Sequence, residues 1–260
     1  MHRLVELDHV EGLLRDAERF SGGNCLVMDV GGFAKSMLKF SSISVCEVFG
    51  YQIAAAVGIR VARTQGIWTQ QAVNAVGPGS PGILAEPGRI GILVEYHDAW
   101  ANLPVDHAVR LDPVVVSRAL GLCAFDRYEW GEFGHSGGKI YFADLERLLP
   151  GMQPEVLLAA SPEERITILE ATEDPYKQGT ATMIQEVLEE ADRLRISSEV
   201  ERELETLSSL RPETYSKFLQ LIGHPLDRLL SRFATSVFGW RVNAIADYIG
   251  RPTHEVPDWR

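Results

Sequence analysis

The chain is poor in cysteine, in basic residues and in long apolar runs, and each shortage excludes a class of protein. Only three cysteines occur among 260 residues, none in a C-x-x-C pair, which argues against a disulfide framework and a structural zinc site. Lys and Arg number 25 against 36 Asp and Glu, a net charge of −11, whereas nucleic-acid binders usually carry a basic excess. No apolar run approaches the ~20 residues that cross a bilayer. We therefore expect three buried thiols in a cytoplasmic protein, with neither nucleic acid nor membrane as its partner.

Several catalytic motifs are absent as well. The seven histidines form no H-x-x-x-H or H-E-x-x-H pair, which argues against a zinc hydrolase. The sequence contains no G-x-x-x-x-G-K-[ST] loop, so a Walker-type nucleotide site is not predicted. The glycine- and proline-rich segment 77–82 has no strand–turn–helix context for a hydrolase nucleophile.

The first third of the chain reads as strands. Residues 3–20 have leucines near helical spacing and predict an amphipathic helix, and their many charges argue against a signal peptide. Strands are predicted at 25–30 and 36–40 as a hairpin with a glycine turn, then at 59–70 and 90–96. A single helix, 46–58, ends at a glycine and separates the second predicted strand from the third.

The remainder is predominantly helical. Asp112 followed by Pro113 predicts a helix start, and the apolar run that follows extends this helix to about residue 125. A polar segment, 126–139, precedes a predicted strand at 140–144, and apolar residues recur at helical spacing from 152 onward. We therefore predict an α+β protein with two lobes, a strand-rich one at 1–97 and a helical one at 98–260, and a cleft between them.

Two aspartates border this predicted cleft. Asp126 opens a loop after a helix of aliphatic residues, and Asp144 ends an apolar strand, where a carboxylate is costly unless it is paired or holds a cation. If the two converge, one can orient a hydroxyl nucleophile while the other holds Mg²⁺, as phosphoryl transfer requires. In the alternative reading, Asp126 pairs with Arg127 or caps a turn, and Asp144 caps the following helix.

A lysine and two glycines form the second candidate group. The pair Gly31-Gly32 allows the backbone to approach phosphates closely. Lys39 lies within an apolar strand and needs a carboxylate or a phosphate, and Glu47 near the start of the next helix is a candidate partner. Lys35 lies nearer the glycines and competes for the phosphate role. The alternative for Lys39 is a snorkelling side chain on an edge strand.

Four segments together resemble the HipA-like and phosphoinositide 3/4-kinase-like branch of the protein-kinase fold. These segments are SMLKF, CEVFGYQIAAAVGIRV, LCAFDRYEWGEF and KIYFADLERLLP, in the order of that family and within residues 25–150. The resemblance implies a two-lobed fold, with a small antiparallel sheet and one helix in the first lobe and a mainly helical second lobe. It implies ATP as substrate and Mg²⁺ as cofactor.

The resemblance also implies a role for each candidate residue. Lys39 would contact the ATP phosphates and Glu47 would hold it, while Asp126 would be the catalytic base and Asp144 would bind Mg²⁺. Gly31 and Gly32 would belong to the phosphate loop, and Glu95 and Tyr96 would form the hinge beside adenine.

The sequence departs from the family at one position. The family has a metal-binding asparagine five residues after the catalytic aspartate, where this chain has Gly131. Either Glu132 supplies the second metal ligand from a longer loop, or the second metal site is lost. In the first case we expect a kinase that transfers the γ-phosphate of ATP to a hydroxyl group of a protein or a small molecule. In the second, we expect a weak kinase, a pseudokinase or a kinase-like scaffold that binds a protein partner.

Overall fold

The fold is described by a computed structural model, which covers most of the chain from residue 44 onward and the backbone of four strands before it. The described residues are 44–62, 64–68, 90–95, 101–123, 133–136, 139–142, 145, 149, 152–177, 180–221 and 223–260, with backbone alone at 5–6, 18–19, 25–30 and 33–40. Within them the chain is α+β and mainly helical, as predicted.

The first sheet contains six described strands in the order β1-β5-β6-β4-β3-β2. Their bounds are β1 Val5–Glu6, β2 Glu18–Arg19, β3 Cys25–Val30, β4 Phe33–Phe40, β5 Thr64–Trp68 and β6 Ile90–Glu95. β3 and β4 form the predicted antiparallel hairpin, separated only by residues 31 and 32. In β6, alternate residues Ile90, Ile92 and Val94 are buried, as expected for a strand with one face on the core.

The helix expected over residues 3–20 is wrong where its backbone is described. β1 pairs in parallel with β5, and β2 pairs antiparallel with β3. The leucine spacing favours a helix locally. The strands form instead because they pair with β5 and β3, and a local sequence pattern carries no information about such partners. The β1–β5 pair also corrects the expectation of a purely antiparallel sheet.

Helix α1 (Ser44–Ala56) lies between the second and third predicted strands and is almost entirely buried. Eleven of its 13 residues are buried. It ends as predicted near Gly58, whose φ of 78° lies in the left-handed region that glycine adopts freely. The amide of Ile59 donates to the carbonyl of Ala54 (2.8 Å) and thereby closes the helix end.

A second, three-stranded antiparallel sheet follows. It contains β7 (Ala101–Asn102), β8 (Phe133–Ser136) and β9 (Lys139–Phe142) in the order β7-β8-β9. β8 falls within the polar segment that had been expected to be a loop. The amide of Phe142 donates to the carbonyl of Arg60 (3.0 Å), so this sheet is joined to the segment that follows α1.

Two helices lie between β7 and β8. The first, α2 (Val105–Leu111), was not predicted, and the second, α3 (Pro113–Cys123), confirms the predicted helix start. Asp112 ends α2 and begins α3, because its carboxylate Oδ1 accepts a hydrogen bond from the amide of Val115 (3.2 Å).

The predicted helical remainder is confirmed. It contains α4 (Pro154–Ala159), α5 (Pro162–Lys177), α6 (Thr180–Leu194), α7 (Ser197–Ser208), α8 (Pro212–Tyr215) and α9 (Asp227–Tyr248). α3 packs on α7, and the long helix α9 packs on α6 and α7. α5 begins with a capping box, in which Ser161 and Glu164 each accept a hydrogen bond from the other's backbone amide.

The last ten residues form neither helix nor strand and lie against α5 and α9. Trp259 is 1% exposed, packs edge-on against Phe233, and donates its indole N–H to Glu173 (3.3 Å). The side-chain amide of Asn243 makes two hydrogen bonds with the backbone of His254 (2.6 and 2.9 Å). This segment is therefore fixed to the helical layer by a buried aromatic ring and by paired hydrogen bonds.

One buried apolar cluster runs through the described core, from α1 and β6 to α9 and Trp259. Cys46 lies in it as a buried free thiol, as predicted, while the side chains of Cys25 and Cys123 lie outside the described residues. In the described part of the chain, no helix combines the length and the apolar character needed to cross a bilayer.

Candidate functional site

Lys39 lies on a central strand of the first sheet. Its strand, β4, has β3 on one side and β6 on the other, and position 39 is in register with Cys25 and Ile92. The alternative prediction, which placed Lys39 on an edge strand, is therefore wrong, because β4 is an interior strand of the sheet. Positions directly opposite across a strand pair share one face of the sheet, so position 39 is on the face of the buried Ile92. The Lys39 side chain itself lies outside the described residues.

Glu47 is a buried carboxylate in the first turn of α1. It is 2% exposed, although Glu is among the residues least often buried. The partial positive charge at a helix N-terminus favours a carboxylate there. α1 packs on β5 and β6, next to the strand that carries Lys39. The lysine and the glutamate of the sequence prediction therefore lie on two elements that both contact β6.

The chain just after Asp144 passes directly against α1. Leu145 is 2% exposed, and a Cβ added at Gly50 would lie 2.1 Å from the Leu145 carbonyl oxygen and 2.8 Å from its Cβ. Only a residue without a side chain fits at position 50. Since Gly50 is three residues after Glu47, both lie on one side of the helix. The segment that follows the predicted metal ligand therefore packs on the side of α1 that also carries Glu47.

Two further contacts fix α1 to later parts of the chain. The amide of Met152 donates to the Cys46 sulfur (3.3 Å). The side chain of Gln52 donates to the carbonyl of Gln220 (2.6 Å) and accepts from its amide (3.0 Å), so it extends the backbone pairing of that loop. Because Gln52 is 4% exposed, these bonds are shielded from water. α1 therefore connects the first sheet to the helical layer.

Glu95 is the last residue of β6 and is partly buried. Its Cα is in register with that of Ser36 on β4, so it lies on a central strand beside the one that carries Lys39. The next described strand along the chain, β7, belongs to the second sheet. The predicted hinge position therefore lies at the end of the first sheet, and the boundary between residues 97 and 98 stays a prediction.

The other predicted site residues are Gly31, Gly32, Tyr96, Asp126, Glu132 and Asp144, and all six lie outside the described residues. Their described neighbours are the hairpin strands β3 and β4, the end of α3 at Cys123 and the end of β9 at Phe142. The convergence of Asp126 and Asp144 thus stays a prediction. Among the described residues, no group of three or more His, Cys, Asp or Glu side chains could hold a metal ion.

Two of the residues that fix α1 in place are not among the sequence predictions. In the sequence, Gly50 is an ordinary helix position, although a glycine in the middle of a helix costs about 1 kcal/mol relative to alanine and usually has a packing reason. The unfavourable helix propensity of a glycine at this position is the signal in the sequence that indicates a close packing contact at Gly50. The role of Gln52 depends on a partner 168 residues later, and nothing in the local pattern indicates it.

No family model matches the chain. A search of curated proteins gives no match either.

Proposed function

We propose that this protein is a kinase with a two-lobed protein-kinase-like fold, which transfers the γ-phosphate of ATP to a hydroxyl group. One observation carries the proposal: the chain next to Asp144 packs against Gly50, on the same side of α1 as the buried Glu47. A phosphotransferase site needs a cation-binding carboxylate close to the groups that hold the phosphates. The contact between Leu145 and Gly50 makes such proximity possible.

The position of Lys39 supports the same proposal. It lies on the strand next to β6, on which α1 packs, and its register position is on the face of buried Ile92. In the proposal the Lys39 ammonium neutralises phosphate charge, and Glu47 orients it from α1. A buried carboxylate is costly unless it is paired, so Glu47 requires a cationic or hydrogen-bonding partner. In the proposal, the Lys39 ammonium is one such partner.

The remaining roles follow from the chemistry of the transfer. Asp126 orients the acceptor hydroxyl and accepts its proton as the oxygen bonds to the γ-phosphorus and the bond to the bridging oxygen of ADP breaks. Asp144, with Glu132, supplies the oxygen ligands that Mg²⁺ prefers. When bound, Mg²⁺ neutralises charge on the phosphates. Gly31 and Gly32 let the backbone approach the phosphates, and Glu95 and Tyr96 lie beside the adenine.

The experiment measures ATP turnover and nucleotide binding separately in the same variants. Asp126→Ala should lower phosphoryl transfer by about 10²- to 10⁴-fold, the usual contribution of a general base, and leave Mg·ATP binding nearly unchanged. Asp144→Ala should weaken Mg·ATP binding. Asp247→Ala, which removes an exposed aspartate at the end of α9, is the matched control and should change neither. Full turnover in both Asp126→Ala and Asp144→Ala would refute the proposal.

A second candidate function is a pseudokinase or a kinase-like scaffold that binds a protein partner. Gly131 at the asparagine position favours it, because a lost metal ligand weakens catalysis before it weakens the fold. A thermal-shift titration separates the candidates: a nucleotide at a hundredfold excess over its dissociation constant stabilises the folded state by ~2.7 kcal/mol. A shift without turnover indicates a pseudokinase, and no shift with any Mg·nucleotide indicates the scaffold.

A further inference from the structure

An open cleft of about 550 Å³ lies along the first half of α9, and none of the residues that line it belongs to the proposed phosphotransfer site. α9 forms its floor, the loop after α8 forms one wall, and the C-terminal segment forms the other. The residues that matter for its chemistry are Gln220, Asp227, Arg228, Ser231, Thr235 and Asp258.

Three of these residues form a row of hydrogen-bond acceptors on the floor. Asp227, Ser231 and Thr235 are spaced four residues apart, so they lie on one face of α9. The Ser231 hydroxyl donates its proton to Asp227 Oδ1 (2.9 Å), and the Thr235 hydroxyl donates to the carbonyl of Ser231 (2.8 Å). A hydroxyl has a single proton, so both oxygens retain only acceptor capacity. The floor therefore suits a ligand group that is rich in donors.

A second row, one position further along the helix, carries positive charge. Arg232 donates to the carbonyls of Asp258 and Arg260 and thereby holds the C-terminal wall. The guanidinium of Arg228 is exposed and has no hydrogen-bond or ion-pair partner within the described part of the chain. It is available to a carboxylate, with which a guanidinium forms paired hydrogen bonds.

The walls are fixed before any ligand arrives. The loop after α8 is tied to α1 through Gln52 and Gln220, and to α9 through the amide of Leu221, which donates to Asp227 Oδ1 (2.5 Å). A site whose walls are already ordered loses less conformational entropy on binding. The two aspartates and two arginines around the cleft cancel in formal charge, which favours a ligand without net charge.

We propose that this cleft binds a small zwitterion of the amino-acid type. The ligand's ammonium group donates to Asp227 and Ser231, which lie one helical turn apart, and its carboxylate pairs with Arg228. The volume accommodates a single amino acid with its side chain. This inference does not depend on the proposed kinase activity, because none of the cleft residues belongs to that site.

The test begins with saturation-transfer NMR on the full chain with mixtures of the proteinogenic amino acids, followed by calorimetry of each ligand that responds. At least one amino acid should bind saturably. Its methyl ester, which lacks the carboxylate, and its N-acetyl derivative, which lacks the ammonium, should both bind about tenfold more weakly or worse, because each loses a charge-assisted hydrogen bond.

Variants then assign the binding to the cleft. Arg228→Ala should weaken binding of the amino acid about tenfold, and Asp227→Asn, which keeps an oxygen for the amide of Leu221, should weaken it comparably. Arg202→Ala removes a similarly exposed arginine from α7 and should have no effect. The inference is overturned if no amino acid binds, if the ester or the N-acetyl derivative binds as well as its parent, or if the two cleft variants bind like the control.

Discussion

α1 and α9 are both deeply buried helices, and each contains a glycine at which no Cβ fits. α1 has 11 of 13 residues buried and α9 has 12 of 22. At Gly50 the obstacle is a backbone carbonyl, 2.1 Å from the position of an added Cβ, whereas at Gly239 it is the hydroxyl oxygen of Tyr215, at 2.3 Å. A backbone atom moves only with its whole segment, while a side-chain atom can be removed by substitution.

This difference determines how each helix responds to a methyl group added at its glycine. α1 is held at this side by segments that are far away in sequence, namely Leu145, Met152 and Gln220. At Gly239, α9 instead meets the side chain of Tyr215, whose ring packs edge-on against Phe238. We therefore expect a substitution at Gly50 to disturb the arrangement of the sheet and the helical layer, and a substitution at Gly239 to be absorbed locally.

Gly50→Ala should give the largest effect. Alanine favours the helix by about 1 kcal/mol, but the clash with the Leu145 carbonyl forces the backbone apart, and we expect a net destabilisation of about 3 kcal/mol or more. Urea unfolding measures it. Ala55→Gly, on the exposed side of the same helix, isolates the propensity term and should cost about 1 kcal/mol. A Gly50→Ala protein as stable as the wild type would show that Leu145 does not fix α1.

Gln52→Ala should have the next largest effect. It leaves the amide and carbonyl of Gln220 without their partner at a partly buried position, which costs about 1–3 kcal/mol. Gln52→Glu keeps the acceptor but sets an unpaired carboxylate against the Gln220 carbonyl at a 4% exposed position, so its stability at neutral pH should fall below that of the alanine variant. Equal stability of all three proteins in chemical denaturation would show that the hydrogen bonds between Gln52 and Gln220 do not stabilise the fold.

Gly239→Ala should cost about 1–2 kcal/mol, and Tyr215→Phe should rescue it. The buried Tyr215 hydroxyl has no hydrogen-bond partner within the described residues, and burial raises its pKa above the ordinary value. Tyr215→Phe alone should therefore leave stability unchanged or raise it by up to ~1 kcal/mol. In the double variant the space left by the hydroxyl accepts the new methyl group. Additive effects in a double-mutant cycle would contradict this view of α9.

The smallest effect concerns the start of α5. Hydrogen bonds from the Ser161 amide and hydroxyl lower the pKa of Glu164. A carboxylate with a lowered pKa in the folded state contributes stability above its unfolded pKa and loses it as the pH falls through the folded pKa. The melting temperature of Glu164→Gln should be slightly below that of the wild type at pH 7, and the two should converge in acid. A constant difference across this range would exclude the titration of Glu164 as its cause.

The sequence predicts α3 and α9 well because their signals are local. Asp112-Pro113 begins α3, and apolar residues at helical spacing mark α9. The hairpin of β3 and β4 is also local, since two glycines separate two apolar runs. By contrast, β1 and β2 depend on pairing with other segments, and the leucine spacing at 3–20 gave the wrong structure. Glu47 could be proposed from its place near the start of a predicted helix, whereas the contact between Leu145 and Gly50 joins segments distant in sequence and has no local signal.

A double-mutant cycle on Mg·ATP affinity tests the central claim most directly, namely that Lys39 and Glu47 act as one unit beside the chain at Leu145. The four proteins are the wild type, Lys39→Met, Glu47→Gln and the double variant, all measured by calorimetry. If the two side chains form a pair that binds phosphate, each single substitution weakens binding and the double variant binds no more weakly than Lys39→Met. Strictly additive losses, or no measurable Mg·ATP binding to the wild type, would contradict the account.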